Sequence, residues 1–205
     1  MKLRAFATTL FAALIACASA TVDHDKIEPI PQPEPVTISE KAAIKFKPQL
    51  STSNIACVSF PAVNAAGEVT GGLKGTNGND ACKYAPKGSQ VYGRAGWYKD
   101  LVVVWIDNPD LETPKIVGVS RSKSDTKYYN EARSILFLRF HYQITLASPY
   151  MRLAMENGEY QDLIMWEQLT DAARAALNNG DSFGKAEVPF SDEHFEDHLA
   201  EAWPL

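Results

Sequence analysis

The stretch LVVVWIDNPDLETPKIVGV, at residues 101–119, decides the fold. Its first six residues are apolar and mostly β-branched, which is typical of a β-strand. The DNPD sequence at residues 107–110 predicts a turn, because Asp, Asn and Pro favour turn conformations. Residues 115–119 (KIVGV) then predict a second strand. The centre of the chain is therefore expected to build β-sheet.

Further strands and an extended arm are predicted on either side of this stretch. Residues 135–145 (ILFLRFHYQIT) do not alternate cleanly between apolar and polar, so we expect that strand to be covered on both faces. Residues 163–166 (LIMW) predict a fourth strand. Residues 21–35 contain prolines at every second position near their end and predict an extended arm laid over the domain. Residues 67–88 are rich in Gly, Asn, Thr and Lys and predict a long loop.

Three short helices are predicted at the edges of this β-rich region. One starts in residues 39–44 and ends before Pro48, and another covers residues 172–177 and is capped by Thr170 or Asp171. Ser191 is predicted to cap the last helix. The apolar stripe of that helix recurs every four residues at Phe195, Leu199 and Trp203. Several strands with few, peripheral helices predict an α+β fold, mainly an antiparallel β-sandwich.

The chain length and the amino terminus indicate one secreted domain. With 205 residues, 45% of them hydrophobic and 22% charged, the chain is long enough to bury one core. Residues 1–20 have the pattern of a signal peptide, in which Lys2 and Arg4 precede an apolar stretch and ASA at residues 18–20 forms a small-residue cleavage site. The domain is therefore predicted to cover residues 21–205, and we expect the protein outside the cell.

The charge of the mature chain argues against nucleic acid as a partner. Removing Lys2 and Arg4 with the signal peptide leaves 18 basic and 25 acidic residues, a net charge of −7. A nucleic-acid binder needs a basic surface to meet the phosphates. No apolar run after residue 20 approaches the about 20 residues that a membrane-spanning helix needs.

Two cysteines, Cys57 and Cys82, remain after Cys17 leaves with the signal peptide. In an oxidising compartment this pair predicts a disulfide bond, which would stabilise the fold by roughly 3–4 kcal/mol through loop entropy. Two buried free thiols are the alternative.

Clusters of polar residues elsewhere favour structural interpretations over catalytic ones. His194 and His198 are four residues apart among acidic neighbours, but they lack the H-E-x-x-H pattern, so we expect a solvated acidic helix face. Glu156 and Glu159 could form a glycosidase pair, but the ENGE sequence favours a hairpin between two strands. Motifs for a nucleophile or a phosphate loop are absent from the sequence, and an enzyme is not expected.

Long blocks of the sequence resemble a known family. In chain order they include FPAVNAAGEVTGGLK, GSQVYGR, VVVWIDNP and QDLIMWEQLTDAARAAL. Together they resemble the necrosis- and ethylene-inducing-like proteins (NLPs) that plant-associated oomycetes, fungi and bacteria secrete. The resemblance implies a secreted β-sandwich with peripheral helices and, as in type-1 members, a disulfide between Cys57 and Cys82. Active members of the family are cytolysins that bind glycosylated sphingolipid head groups of plant membranes through a divalent cation.

The sequence that carries the family's cation site is missing here. In relatives, an undecapeptide of the type AIMYxWYFPKD and then the heptapeptide GHRHDWE lie between the GSQVYGR and VVVWIDNP blocks and provide the cation's ligands. In this chain, residues 93–100 (GRAGWYKD) run straight into Leu101, and no heptapeptide follows. Asp100 is at most a remnant of the site, and a single carboxylate does not hold a divalent cation. We therefore expect no metal and no other cofactor.

The residues expected to contact a membrane or a glycan come from two segments. Trp97 and Tyr98 match either the Trp-Tyr that follows GSQVYGR in relatives or a shortened WYFPKD. A family loop resembling STWPxNH, whose tryptophan takes part in membrane engagement, corresponds to ITLASPY at residues 144–150, which lacks tryptophan and histidine. The candidate contacts are Trp97, Tyr98, Leu146 and Tyr150.

These features predict an effector with reduced toxicity. The resemblance implies a role in virulence or host interaction for a plant-associated microbe, at a host cell surface that offers a membrane glycosphingolipid or a receptor. Loss of the cation site and of the loop tryptophan predicts weak or no cytolytic activity, and a monomer is expected. Two alternatives stay open, namely a lectin-like module that binds glycans without a cation and a truncated, non-functional paralogue.

Overall fold

The structure, a computed structural model, describes residues 21–54, 56–71, 82–94, 102–124, 127–131, 138–144, 149–184 and 186–203. Within these ranges, nine strands form three sheets, with three α-helices at their margins. The strands are β1 (Gln49–Thr52), β2 (Gln90–Gly93), β3 (Val102–Ile106), β4 (Ile116–Ser124), β5 (Lys127–Glu131), β6 (Arg139–Ile144), β7 (Pro149–Leu153), β8 (Glu159–Tyr160) and β9 (Asp162–Met165). The helices are α1 (Ile38–Lys45), α2 (Asp171–Asn178) and α3 (Phe195–Ala202).

Two of the sheets pack face to face and form the sandwich. One has the strand order β7-β6-β1-β8 and the other the order β3-β4-β5. Val104 and Val119 from the second sheet pack with Leu138 and Phe140 around the first, and Phe140 is fully buried. Burying such side chains between two sheets provides the main driving force for this layer. The predicted α+β sandwich is confirmed, with two parallel pairings, β1–β6 and β2–β9, among the antiparallel ones.

The amino-terminal arm packs on the small sheet of β2 and β9. Residues 27–36 contain no helix or strand, as the prolines predict. The Gln90 side chain donates to the carbonyl of Ile30 at 2.6 Å. The Gln32 side chain receives the N–H of Leu163 at 2.7 Å and donates to the carbonyl of the same residue at 2.6 Å. The arm therefore satisfies backbone groups of β9 that a neighbouring strand would otherwise pair.

Side-chain caps begin the first two helices. Thr37 and Glu40 form a capping box at the start of α1, which begins one residue before the predicted start and ends before Pro48 as predicted. The Thr170 hydroxyl accepts the N–H of Ala173 at 3.1 Å, so Thr170 rather than Asp171 caps α2. Gly180 follows α2 as predicted. Of the helices that the structure describes, none has the length and apolar sequence that crossing a bilayer would require.

The last helix differs from the prediction in its start and in its buried face. α3 begins four residues after Ser191, and the Ser191 hydroxyl is buried without a hydrogen-bond partner, so the predicted cap is wrong. The buried face carries His198 and Ala202, whereas Trp203 follows the helix and is 51% exposed. The expectation of a solvated face at His198 is also wrong, because the side chain is buried. Hydrogen bonds with Glu187 and Tyr128 compensate for the loss of water around its imidazole.

The strand predictions were correct in position but incomplete. β3, β6 and β9 lie within or one residue beyond the predicted segments, and β4 extends five residues past the predicted end at 119. The ENGE segment is not a hairpin, because it connects β7 and β8, which lie at opposite edges of one sheet. The predicted loop at 67–88 falls partly outside the described residues, and its described parts contain no strand. Cys82 near its end is disulfide-bonded to Cys57.

Candidate functional site

The start of β3, which follows one predicted contact segment, lies at the same end of the sandwich as the ends of β6 and β7 that flank the other. Thr52 at the end of β1 is opposite Tyr142 of the parallel strand β6. Arg121 of β4 is opposite Val102, the first residue of β3, and its Nη1 donates to the carbonyl of Met151 at 3.1 Å. Met151 is in turn the cross-strand partner of Tyr142. We call this region, formed by the end of β1, the end of β6, the start of β7 and the start of β3, the loop end.

Of the residues predicted to contact a membrane or a glycan, Tyr150 lies within the described part of the chain. Trp97, Tyr98, Asp100 and Leu146 lie outside the described residues. Tyr150 lies in β7 and is half-buried, and its hydroxyl receives a hydrogen bond from the side chain of Gln143 on the facing strand. The Tyr150 hydroxyl therefore helps to join β7 to β6.

Two further residues at the loop end were missed by sequence reasoning. Ile144, the last residue of β6, is 37% exposed and adds apolar surface next to the turn. The guanidinium of Arg121 lies 4.3 Å from the ring centre of Tyr129, which fixes a positive charge at this end of an acidic protein. Neither carried a signal in the sequence, because an Ile at a strand end and an Arg in a strand are ordinary residues there.

A polar cleft opens beside the loop end, where β1 and β8 face residues 58–59 and Ser89. Its volume is about 300 Å³. Leu50 and Val58 supply apolar wall, and most other lining residues carry hydroxyl, amide or carboxylate groups. The polar members are Ser51, Thr52, Ser59, Ser89, Asn157, Glu159 and Gln161. We call this feature the β1–β8 cleft.

The wall of the cleft that contains residues 157–159 packs closely against the backbone of β1. A Cβ at Gly158 would lie 2.6 Å from the carbonyl carbon of Leu50, so only glycine fits against β1 at this position. The Gly158 N–H also donates to the side-chain oxygen of Gln49 at 3.3 Å. The segment that carries Asn157 and Glu159 is therefore anchored on both sides.

A serine, a histidine and a glutamate also meet near this cleft, but not in a catalytic geometry. The Ser51 hydroxyl lies 2.8 Å from Nδ1 of His141, and Glu156 lies 3.8 Å from the same nitrogen. In a nucleophilic triad the serine and the carboxylate bind opposite nitrogens of the imidazole. Glu156 is instead paired with Arg152 at 2.9 Å. A hydrogen bond with its own backbone, together with Arg152, holds the pKa of Glu156 below its usual value.

Metal-binding side chains do not converge in the parts of the chain that the structure describes. No group of three His, Cys, Asp or Glu side chains there could hold an ion. His194 and His198 do not share a site, since His198 Nε2 lies 2.5 Å from Glu187.

Comparisons with known proteins agree on one family. The family model of the necrosis inducing proteins (NPP1) matches residues 40–102 and 99–202. NLP effector protein 6 of Plasmopara viticola is 46% identical over 248 aligned positions, which cover all of this chain and 93% of the relative. NLP effector protein Pc109174 of Phytophthora capsici is 42% identical, and the match covers 91% of this chain and 93% of the relative.

Solved structures share the fold. A crystal structure of the non-toxic HaNLP3 protein superposes with a TM-score of 0.78 at 37% identity, covering 89% of this chain and 99% of that one. NLPPya has been solved in complex with mannosamine and with glucosamine; each complex superposes with a TM-score of 0.76 at 33% identity, covering 90% of this chain and 99% of that one.

Proposed function

Because this chain belongs to the necrosis inducing protein (NPP1) family, we propose that it is a secreted effector that contributes to virulence at the plant cell surface with weak or no cytolytic activity. The observation that carries this proposal is the family match in two pieces, which meet and overlap at residues 99–102. Two matches that share these residues indicate that family sequence between them has no counterpart here. The aligned length of 248 positions against 205 residues in this chain points the same way.

The position of this break explains the expected loss of toxicity. It coincides with the place where relatives carry GHRHDWE, and this chain has no such sequence. Hard divalent cations need several gathered oxygen ligands, which Asp100 by itself does not provide. The loop at residues 144–150 lacks the family's tryptophan as well.

Without a bound cation, the negative charge of the protein disfavours binding to an anionic membrane. The mature chain has a net charge of −7, and a plant membrane surface rich in anionic head groups repels it. The repulsion is short-ranged, since the Debye length at physiological salt is about 8 Å. A single exposed apolar side chain such as Ile144 supplies only about 1.5–3 kcal/mol, which does not anchor a protein.

Dye release from vesicles tests the proposed loss of activity. Vesicles containing glycosylated plant sphingolipid would be mixed with the mature protein, with Mg²⁺, with Ca²⁺ and with a chelator. We expect no release at concentrations where a toxic relative that retains GHRHDWE lyses the same vesicles. Release at sub-micromolar protein that the chelator abolishes would contradict the proposal. Sequencing the transcript across Asp100 and Leu101 checks that the shortened segment is encoded.

A glycan-binding module that needs no cation is the second candidate function. The solved complexes of NLPPya with mannosamine and glucosamine favour it, because they show that a protein of this fold accommodates amino sugars. Retention on sugar-coupled resin in the presence of a chelator supports this candidate, whereas passage through every such resin speaks against it.

A further inference from the structure

The side chains of the β1–β8 cleft carry hydrogen-bonding groups that the protein itself does not use. Among the described residues, the hydroxyls of Thr52, Ser59 and Ser89 make no hydrogen bond to the protein, and neither does the side chain of Asn157. All three hydroxyl-bearing residues are half-buried. Polar groups in such positions find partners in water or in a ligand. These three half-buried hydroxyls and the exposed side chain of Asn157 line one space of about 300 Å³.

The charge of the cleft narrows the class of ligand. Among the described residues of the lining, Glu159 is the one ionisable side chain, so an anion would meet repulsion there without a compensating Lys or Arg. A divalent cation would find a single carboxylate and would be held weakly. An apolar ligand would leave the hydroxyls and the amide unpaired. A molecule with many hydroxyl groups that is neutral, or that carries one amino group to pair with Glu159, meets none of these objections.

The arrangement of the lining fits a sugar ring in particular. Hydroxyls both donate and accept, and the Asn157 amide does so through two atoms, which matches the mixed donors and acceptors of a sugar. The Glu159 carboxylate can accept from two neighbouring sugar hydroxyls or from an amino group. Leu50 and Val58 offer apolar surface for the C–H face of the ring. The cleft volume is at the lower end of small-molecule sites, about 300–1,000 Å³, which suits one sugar unit.

We propose that the β1–β8 cleft is a binding site for a single hexose or aminohexose unit that requires no metal ion. The site deepens the second candidate function and is independent of cytolysis. Its wall is preorganised, because Gly158 packs directly on the backbone of Leu50 and the disulfide-bonded Cys57 precedes Val58. Preorganisation lowers the entropy lost when a small ligand binds.

Protein-observed NMR titration with glucose and with glucosamine, in the presence of a chelator, tests the site. We expect chemical-shift changes confined to residues 50–52, 58–59, 89 and 157–161, with a Kd in the millimolar range because the ligand is small. The variants Thr52→Val and Asn157→Ala should each weaken binding by about fivefold to tenfold, the effect of one lost hydrogen bond. Thr113→Val is the matched control, since Thr113 is exposed in the β3–β4 connection and should leave the Kd unchanged.

The results of this titration distinguish failure of the cleft proposal from failure of glycan binding in general. Shift changes that map elsewhere on the protein would overturn the cleft proposal while leaving glycan binding intact. An absence of shift changes with either sugar would overturn the cleft proposal, and so would equal binding by both cleft variants and Thr113→Val. Spectra of the free variants that overlay the wild type outside the cleft show that the fold is retained. Vesicles with and without a hexose head group, compared with a soluble oligosaccharide, distinguish a lipid from a free glycan as the source of the sugar.

Discussion

Single polar side chains take the place of missing backbone pairs in this fold. The hydroxyl of Tyr92 on β2 accepts the N–H groups of Ala62 and Val63 at 3.0 and 3.3 Å, and it lies 3.0 Å from Oε1 of Gln90. The segment around Ala62 runs beside β2 without belonging to a named strand. Burial raises the pKa of Tyr92 to about 12. The phenol therefore stays protonated and holds this segment at neutral pH.

Removal of this hydroxyl should be costly. We expect Tyr92→Phe to lower the free energy of unfolding by about 1–3 kcal/mol, because buried N–H groups of Ala62 and Val63 lose their acceptor. Urea denaturation measures the change. Tyr84→Phe is the control, since Tyr84 is 74% exposed and its substitution should have almost no effect. Equal stabilities of the two variants would show that water replaces the Tyr92 hydroxyl.

Glu40 should make stability depend on acid pH. Its carboxylate accepts the N–H groups of Val36 and Thr37 at 2.6 and 2.8 Å, and the hydrogen bond from the Thr37 backbone is the main cause that lowers its pKa below 4.5. A lowered pKa in the folded state contributes stability above pH 4.5, which is lost as the pH falls through the folded pKa. Glu40→Gln should flatten this part of the pH–stability curve, whereas Glu34→Gln, at an exposed position of the arm, should not. A wild-type slope in Glu40→Gln would assign it to other carboxyls.

At the scale of elements, polar contacts hold α3 on the outer face of the β3-β4-β5 sheet. The Ser120 hydroxyl accepts from the Trp105 indole at 2.8 Å and donates to the carbonyl of Ala202 at 2.7 Å. His198 lies 2.5 Å from Glu187 and 3.3 Å from the Tyr128 hydroxyl. A period-four apolar stripe predicted this helix, but its partners come from three distant segments, so only the folded chain could identify the buried face.

The histidine contact should be a principal anchor of α3. We expect His198→Ala to destabilise the protein by about 1.5–3 kcal/mol, because it removes a hydrogen bond to a carboxylate and leaves Tyr128 without this partner. Amide hydrogen exchange should rise selectively in residues 195–202. His194→Ala, at the start of the same helix, is the control. Uniform exchange across the whole domain would indicate global destabilisation instead of a released helix.

At the scale of the whole molecule, we expect signal-peptide cleavage and disulfide formation to determine the mass of the mature protein. The sequence predicts cleavage after residue 20, so the secreted chain should begin at Thr21. With the Cys57–Cys82 disulfide formed, its intact mass should be two hydrogens below that of the reduced chain. Mass spectrometry before and after reduction measures both. Two thiols that alkylate without prior reduction would contradict the disulfide, and a different first residue would contradict the cleavage site.

The shortened centre should leave a weaker domain than that of full-length relatives. In the described residues, β2 pairs only with β9 and β3 only with β4, and these two strands lie on either side of the break in the family match near residues 99–102. Loss of a neighbouring strand leaves backbone groups to be satisfied in other ways. We expect the free energy of unfolding to be several kcal/mol smaller than that of a relative that retains the segment. The midpoint of chemical denaturation should be lower accordingly. Equal midpoints would show that the break lies outside the packed sheets.

Local sequence determined the features that depend on near neighbours. The β-branched run before DNPD formed β3, the prolines kept residues 27–36 out of helix and strand, and Thr170 capped α2. These outcomes follow from backbone sterics and from hydrogen bonds over a few residues. The collinear blocks determined the family for the same reason, since they record residues in chain order and need no contacts.

Tertiary structure alone decided the features that join distant segments. β1, β7 and β8 are too short or too polar to be recognised locally, and they form strands because sheet neighbours complete their hydrogen bonds. His198 is buried because Glu187 and Tyr128 surround it, although its helix face looked solvated. The β1–β8 cleft likewise gathers residues from four separate stretches of the chain. Burial and pairing are properties of the assembled chain, so no single stretch of sequence contains them.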